Sequence, residues 1–393
     1  MKTSDFDYNL PENKIAKYPL PQRDHSKLLV YDHGKIIDDI FYNIHKYLEA
    51  GTTLITNNSK VIPARLIFYK PTGAKIEIFC LEPYDNKDFA QVFASRQKVE
   101  WKAIVGNAKK WKTSTLQKQI NTPKDNFLLI ATKEKSLENG TYIVSFEWNA
   151  PYSFAEVVEF AGKVPIPPYL KRDTEDIDKK RYQTVYAKIE GSVAAPTAGL
   201  HFTNNVLTKL LEKNIHILET TLHVSAGTFK PIDTEDVTQH KMHKEWIVLQ
   251  KSFIEKLLNT DSRIAVGTTS LRSLESIYWA GIAAYNNYEI KVTQDMPYTY
   301  VATLTYKQAL EELLNYMHKR NINNFSFPTE IMIMPGYRVK SIKALITNFH
   351  QPKSTLLVLI ASLIDDDWEK VYDYALSHDY RFLSYGDSSL LKF

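Results

Sequence analysis

The stretch RIAVGTTSLRSLESIYWAG, Arg263–Gly281, decides the fold class. Ile264, Ala265 and Val266 run apolar up to Gly267, as a short buried strand does. From Thr268 the period lengthens, and Leu271, Leu274, Ile277 and Tyr278 fall on one side of a helix. A strand that turns through a glycine into a helix is the building step of an α/β domain. KALITN (Lys343–Asn348) repeats it, followed by a loop with Pro352 and an apolar helix from Ser354. TTLIT (Thr52–Thr56), ending in the polar turn Asn57-Asn58-Ser59, and HILETTLHV (His216–Val224) supply two more strands. Trp368, Val371, Tyr372 and Ala375 keep helical spacing and read as core.

Between Val61 and Trp148 the texture changes to short strands. KIEIFCLEP places Ile76, Ile78 and Cys80 on one face, and TYIVSFEW does so with Tyr142, Val144, Phe146 and Trp148. Polar turns such as Glu138-Asn139-Gly140 divide them. About 90 residues of this kind suggest a small barrel or sandwich. Because strand-and-helix texture lies on both sides, the expectation is a discontinuous α/β main domain, residues 1–60 and 151–393, with a small β-barrel inserted at 61–150. The segment from about Tyr285 to Phe327 is polar and weakly patterned, and ALEELLNYMHKR within it reads as an exposed helix.

Composition excludes several chemistries. With 393 residues, 44% hydrophobic and 24% charged, the chain is ordinary globular protein. The single cysteine, Cys80, leaves no internal disulfide, no cysteine-rich zinc module and no thiolate-held iron–sulfur cluster. The start MKTSDFDYNL lacks a signal-peptide pattern, and the longest apolar run, Leu356–Ile364, is half a membrane span, so a soluble cytoplasmic protein without membrane contact is expected. The net charge of +4 is small but uneven: residues 60–150 hold 15 basic and 9 acidic side chains, +6, against −2 elsewhere. That excess suits phosphate contacts and equally suits a solvated lysine-rich surface.

Neither a dinucleotide-binding G-x-G-x-x-G after a strand nor a P-loop is present. What stands out are loops dense in small, hydroxyl and imidazole residues. GSVAAPTAGLHF (Gly191–Phe202) lets a ligand approach the backbone, with Thr197 and His201 as hydrogen-bonding groups. VGTTSLR (Val266–Arg272) opens a helix whose free N–H groups would welcome a carboxylate. TNFHQPKST (Thr347–Thr355) brings His350 and Lys353, and SYGDSSLL (Ser384–Leu391) brings Tyr385 and Asp387. Ligands of open α/β sheets bind beyond the carboxyl ends of strands, where such loops lie. Each loop also has a plain reading: Thr-Thr-Ser and Lys-Ser-Thr are capping sequences, and His201, His223 and His350 singly fit packed core or turn positions. His240 and His243, with Glu245 nearby, have metal-ligand spacing but lack a clear third ligand, so no metal is expected. The residues alone describe an α/β enzyme for a small polar ligand.

The same segments, in order, resemble the S-adenosylmethionine:tRNA ribosyltransferase-isomerase (QueA) family. The resemblance is carried by SDFDYNLPENKIAKYPLPQRDHSKLLVYD at the start, VIPARL (Val61–Leu66), PIPPYLKR (Pro165–Arg172) and RYQTVYAKIEGSVAAPTAGLHFT (Arg181–Thr203). It continues through GTFKPI (Gly227–Ile232), HKMH (His240–His243), VGTTSLRSLES, MPGYR (Met334–Arg338), ITNFHQPKSTLL and RFLSYGDSSLL. It implies an α/β domain with an inserted β-barrel, acting as a monomer. It implies S-adenosylmethionine as co-substrate and a tRNA anticodon loop carrying the aminomethyl-deazaguanine wobble base as acceptor. The ribosyl group moves onto that base and isomerises to give epoxyqueuosine, while adenine and methionine leave. Without a cluster this is not radical chemistry. The sulfonium acidifies the methylene beside it, so a modest base suffices; adenine needs a proton donor, and the methionine carboxylate needs a cation or free N–H groups.

On that resemblance His201 or His350 is expected as general base or acid, Asp387 as a carboxylate holding the amine, and Arg272 with Thr268 and Thr269 on the methionine carboxylate. Lys353 is expected to meet a phosphate or the same carboxylate, and Thr197, Gly199, Asn348 and Tyr385 to contact substrate. Three features depart from the family's pattern. Asn58-Ser59-Lys60 stands where an acidic-threonine-arginine sequence is usual, His223–Gly227 replaces a run richer in glycine and leucine, and the segment from Tyr285 is longer. They leave open a diverged paralogue acting on another acceptor, or a catalytically silent RNA-binding relative.

Overall fold

The computed structural model describes residues 1–84, 89–112, 115–137, 140–224 and 231–393. Strands and helices are numbered in chain order. The larger sheet has nine strands: β1 (Lys27–Asp32), β2 (Lys35–Ile40), β3 (Thr53–Asn57), β13 (His216–His223), β14 (Glu245–Gln250), β15 (Arg263–Val266), β16 (Asn324–Thr329), β17 (Ala344–Asn348) and β18 (Ser388–Lys392). Their order is β16-β14-β13-β3-β15-β17-β18-β1-β2. β13, β3, β15 and β17 run parallel, whereas β18 lies antiparallel to β17 and parallel to β1. One edge of the sheet therefore gathers the carboxyl ends of the four parallel strands and the amino ends of β18 and β1.

Period-2 alternation covers both faces. Leu29, Tyr31, Ile55, Ala265, Leu345 and Leu391 face one core; Leu28, Leu54, Ile264, Val266, Ile346 and Leu390 face the other. The first core is closed by α5 (Lys251–Leu258), α6 (Thr268–Tyr285), α8 (Tyr306–Lys319), α9 (Thr355–Ile364) and α10 (Asp367–Ser377). The second is closed by the helical turn Phe41–Tyr47 and α4 (Asn204–Glu212). Trp368, Val371, Tyr372 and Ala375 are core, as their spacing indicates.

Two expectations are corrected here. α6 is buried nearly all round, including Arg272, Glu275 and Ser276, because α8 packs along it. α8, read as exposed, buries Tyr306, Ala309, Leu310, Leu313 and Met317.

The second sheet has seven strands: β5 (Arg65–Tyr69), β6 (Lys75–Pro83), β7 (Lys98–Gly106), β8 (Thr115–Asn121), β9 (Asn126–Ser136), β10 (Thr141–Trp148) and β11 (Gly162–Lys163). The order β11-β5-β6-β7-β10-β9-β8 is antiparallel throughout, and among the described residues its two end strands are not paired with each other. The sheet is thus a half-barrel. Its core includes Phe154, Val157, Val158 and Ala161 of α2 (Phe154–Ala161). This sheet falls in sequence between β3 and β13, which are neighbours in the larger one. The turn residues Glu138 and Asn139, and most of GTFKPI, lie outside the described residues. Among the described residues no helix is long and apolar enough to cross a membrane.

Candidate active site

At the edge just defined, β15 ends in Gly267. Its φ of +89° suits glycine, and its amide donates to Ile346 O of β17 at 2.7 Å. The chain then enters α6, whose first helical bond is Leu271 N–H to Gly267 O (3.2 Å). The amides of Thr268, Thr269 and Ser270 precede that bond and so have no helical acceptor. β17 ends in Thr347 and Asn348, and the following loop reaches Ser354, whose hydroxyl accepts the Leu357 amide and caps α9. The capping reading of that serine holds.

Between these ends lies a cleft of about 660 Å³ open to solvent. All four loops singled out by sequence contribute to it: Ala194–Ala198 with Thr197, Gly267–Thr269, Thr347–Gln351 with Ser354, and Ser384. Tyr169 closes one side, its hydroxyl 2.5 Å from Ser384 Oγ.

Asn348 is buried in this wall. Its amide nitrogen lies 3.1 Å from His201 Nε2, 3.3 Å from Leu383 O and 3.4 Å from Asp387 O. The two carbonyls can only accept, so that end of the amide donates, and Asn348 Oδ1 remains buried without a partner. His201 Nε2 is then an acceptor, its proton sits on Nδ1, and Nδ1 donates to Ser26 Oγ at 2.7 Å. His350 holds Thr347 Oγ1 at 2.9 Å through Nε2, while its backbone amide donates to the Tyr372 hydroxyl (3.0 Å) and its carbonyl accepts the Tyr8 hydroxyl. Burial pushes both imidazoles down to about 3, with Arg381 and Arg23 adding to the effect at His201. Both rings are therefore neutral near pH 7.

The other expected site residues are placed differently. Arg272 is not in the cleft; it is buried against the Glu245 carboxylate of β14 and donates to Ile331 O (3.3 Å). Asp387 is likewise committed, accepting the amides of Lys27 (3.0 Å) and Arg381 (2.7 Å), and burial raises its carboxyl pKa. It joins the start of β1 to the turn before β18 rather than facing a ligand. Lys353 makes an exposed ion pair with Asp7 (2.8 Å). Gly199 serves packing: a Cβ there would stand 2.1 Å from the Tyr186 hydroxyl oxygen. Tyr385 donates to Asp178 Oδ1 at 2.8 Å and lies in an adjoining hollow. Among the described residues no three potential ligands cluster around a metal position; His240 Nδ1 has only Asp233 at 3.6 Å.

Sequence reasoning passed over Tyr169, Thr347, Gln351 and Ser384, all of which line the cleft. The run PIPPYLKR carried the signal for the first, since two prolines stiffen the turn that presents the ring. The departures at Asn58-Ser59-Lys60 are taken up internally. Asn58 bonds Glu219 (3.1 Å) and Thr221 (2.7 Å), Ser59 bonds Ser192 (2.7 Å), and Lys60 pairs with Glu190 (2.9 Å).

A sheet with both faces covered and a cleft at its strand ends defines an α/β protein with an open pocket at its carboxyl edge. A family model described as queuosine biosynthesis protein matches residues 3–391, and the chain belongs to that family. It is 38% identical over 399 residues to the S-adenosylmethionine:tRNA ribosyltransferase-isomerases of Sulfurihydrogenibium sp. (strain YO3AOP1) and Halothermothrix orenii, covering 100% of both chains in each case. With that of Chlorobaculum parvum it shares 35% over 398 residues, again at 100% coverage. A crystal structure of S-adenosylmethionine tRNA ribosyltransferase from Thermotoga maritima is 28% identical, with 99% of this chain and 100% of that chain covered and a TM-score of 0.48.

Proposed function

We propose that the cleft binds S-adenosylmethionine and transfers its ribosyl group, with isomerisation, to the aminomethyl-deazaguanine wobble base in a tRNA anticodon loop. Adenine and methionine are released and epoxyqueuosine is formed. The observation that carries the reading is the convergence of four loops, distant in sequence, on one cleft wall in a chain matched over its full length by ribosyltransferase-isomerases.

The methionine carboxylate sits on the free amides of Thr268 and Thr269, where the start of an 18-residue helix supplies N–H groups and positive potential. Arg272 does not line the cleft, although its Nη2 is buried without a partner. Ala194, Ala195 and Ala198 let the sugar approach the backbone, and Thr197 contributes a hydroxyl. Asn348 Oδ1 accepts a hydrogen bond from the ligand, which gives a buried, otherwise unpaired acceptor its partner. His350 is the proton acceptor. Neutral through burial, it offers a lone pair without first losing a proton, and the sulfonium makes the adjoining methylene acidic enough for a weak base. His201, with both nitrogens engaged, is a positioning residue that keeps the Asn348 amide turned.

Residues 1–60 and 151–393 form the catalytic unit and 61–150 the inserted one, except that α2 and β11 pack into the half-barrel.

The test is to incubate the purified protein with S-adenosylmethionine and precursor-bearing tRNA, then measure adenine and the wobble nucleoside by mass spectrometry. Adenine release with a heavier nucleoside is expected. Release only with another acceptor would establish a diverged paralogue, and binding without release a silent RNA-binding relative.

A further inference from the structure

Across Ser384 from the cleft lies a second, smaller hollow of about 290 Å³, with Ser384 in the walls of both. Its lining holds Arg23, Arg181 and Arg381, together with Ser26, His201 and Tyr385. The three guanidiniums come from distant parts of the chain: the turn before β1, the end of α3 (Asp176–Arg181), and the turn before β18. Arg381 has a carboxylate nearby, Asp387 at 3.5 Å, and also reaches Tyr18 O at 3.4 Å. The other two have only carbonyl partners. Arg23 donates to Gln183 O (2.9 Å), and Arg181 to Pro21 O (3.2 Å) and to Leu20 O. Arg181 Nε is buried with no partner at all.

Nearby acids are already committed. Asp24 accepts the Thr203 hydroxyl (2.7 Å), and Asp178 takes both the Arg172 fork (2.7 Å) and the Tyr385 hydroxyl. Burial, and after it the charge of Arg181, push the Arg23 pKa down, while Tyr385 and Asp24 oppose the shift. Like charges gathered around one hollow with spare donors favour an anion.

We propose that this hollow seats a phosphodiester of the RNA substrate, next to the base handled in the adjoining cleft. The inference rests on the proposed ribosyl transfer to tRNA and adds the place where the backbone is gripped. A phosphate fits better than the methionine carboxylate. Three forks approaching from three segments match an anion with several acceptor oxygens, whereas a carboxylate is satisfied by one fork or by the α6 amides already in the cleft. The shared Ser384 wall puts backbone and base on either side of one residue, and His201, standing between hollow and Asn348, joins the two.

The experiment measures binding of a synthetic anticodon stem-loop by fluorescence anisotropy across a salt series, and of S-adenosylmethionine alone by calorimetry, for the unaltered protein, Arg23→Gln and Arg181→Gln. Each substitution is expected to weaken stem-loop binding about tenfold and to lower the slope of log affinity against log salt by about 1, with S-adenosylmethionine affinity unchanged. Neutral methylphosphonates placed singly beside the wobble position should weaken binding to the unaltered protein at one linkage and have no further effect on Arg181→Gln. Should Arg181→Gln fail to fold, through its hold on Leu20 and Pro21, Arg23→Gln carries the test. Lost S-adenosylmethionine affinity with stem-loop binding intact would assign the hollow to the methionine carboxylate. Indifference of both folded variants and of every methylphosphonate would overturn the phosphate seat even if adenine release proceeds. A responsive hollow without adenine release would instead overturn the reaction and leave the seat standing.

Discussion

Asn348 concentrates the chemistry of the site in one side chain. Its nitrogen lies within hydrogen-bond reach of His201 and two carbonyls, and its oxygen is buried without a partner. Asn348→Ala strands those acceptors, so a stability loss of about 1–3 kcal/mol is expected in denaturant titration. S-Adenosylmethionine affinity should fall about tenfold in calorimetry; unchanged affinity would remove Asn348 from ligand recognition. The histidines give a pH prediction. His201 and His350 have folded pKa values near 3, below the ordinary value of about 6.5, so between the two the unfolded chain binds more protons than the folded one. Their contribution to stability is therefore complete above about pH 6.5 and is lost on acidification toward pH 3, at about 1.4 kcal/mol per pH unit for each ring. Nuclear magnetic resonance should show both ring signals fixed between about pH 5.5 and 8, and kcat/KM should lack a histidine inflection there. A ring titrating near neutrality would contradict the burial that keeps His350 an unprotonated acceptor.

The element that most depends on its neighbours is α6. Gly281 lies where α8 crosses, and a Cβ there would stand 2.2 Å from Ala309 O. Alanine improves helix propensity by about 1 kcal/mol, but a clash with backbone must move one helix against the other, at a cost of about 1–3 kcal/mol. Gly281→Ala should therefore lower the melting temperature, while a raised one would mean that the two helices are free to slide apart. The sequence shows α6 as a helix with one apolar side because its polar residues look solvated. They are instead satisfied from far along the chain. Glu275 accepts the Tyr337 and Ser341 hydroxyls (2.5 Å each) and the amides of Lys340 and Ser341, and Arg272 takes Glu245. Local spacing reveals none of these partners, which is why α6 reads as apolar on one side alone. The strand-end loops are legible for the converse reason: glycine, small residues and caps are dictated locally, at Gly267 by φ and at Ser354 by the Leu357 amide.

At the scale of the molecule, alternation separates two textures correctly, since each sheet buries its own pattern, but period alone does not say whether seven antiparallel strands close. Ladder partners at the ends of β11 and β8 decide that, and they are not encoded in any single strand. Charge follows the same division. Residues 60–150, which hold most of the half-barrel, carry +6, against −2 for the rest. At one turn of it Lys109, Lys110 and Lys112 are exposed, with no carboxylate within 4 Å among the described residues, and Lys70 Nζ joins them through Lys110 O at 3.0 Å. Proteins that hold RNA bind it largely through phosphate neutralisation, and each contact contributes about 0.7–0.9 to the slope of log affinity against log salt. If the half-barrel steadies the tRNA body while the cleft handles the wobble base, replacing Lys109, Lys110 and Lys112 together by glutamine should lower that slope by about 2. It should also raise KM for tRNA while leaving kcat and S-adenosylmethionine affinity alone. A slope that stays put would show that the lysines only solvate the sheet, and tRNA contact would then rest with the carboxyl edge of the larger one.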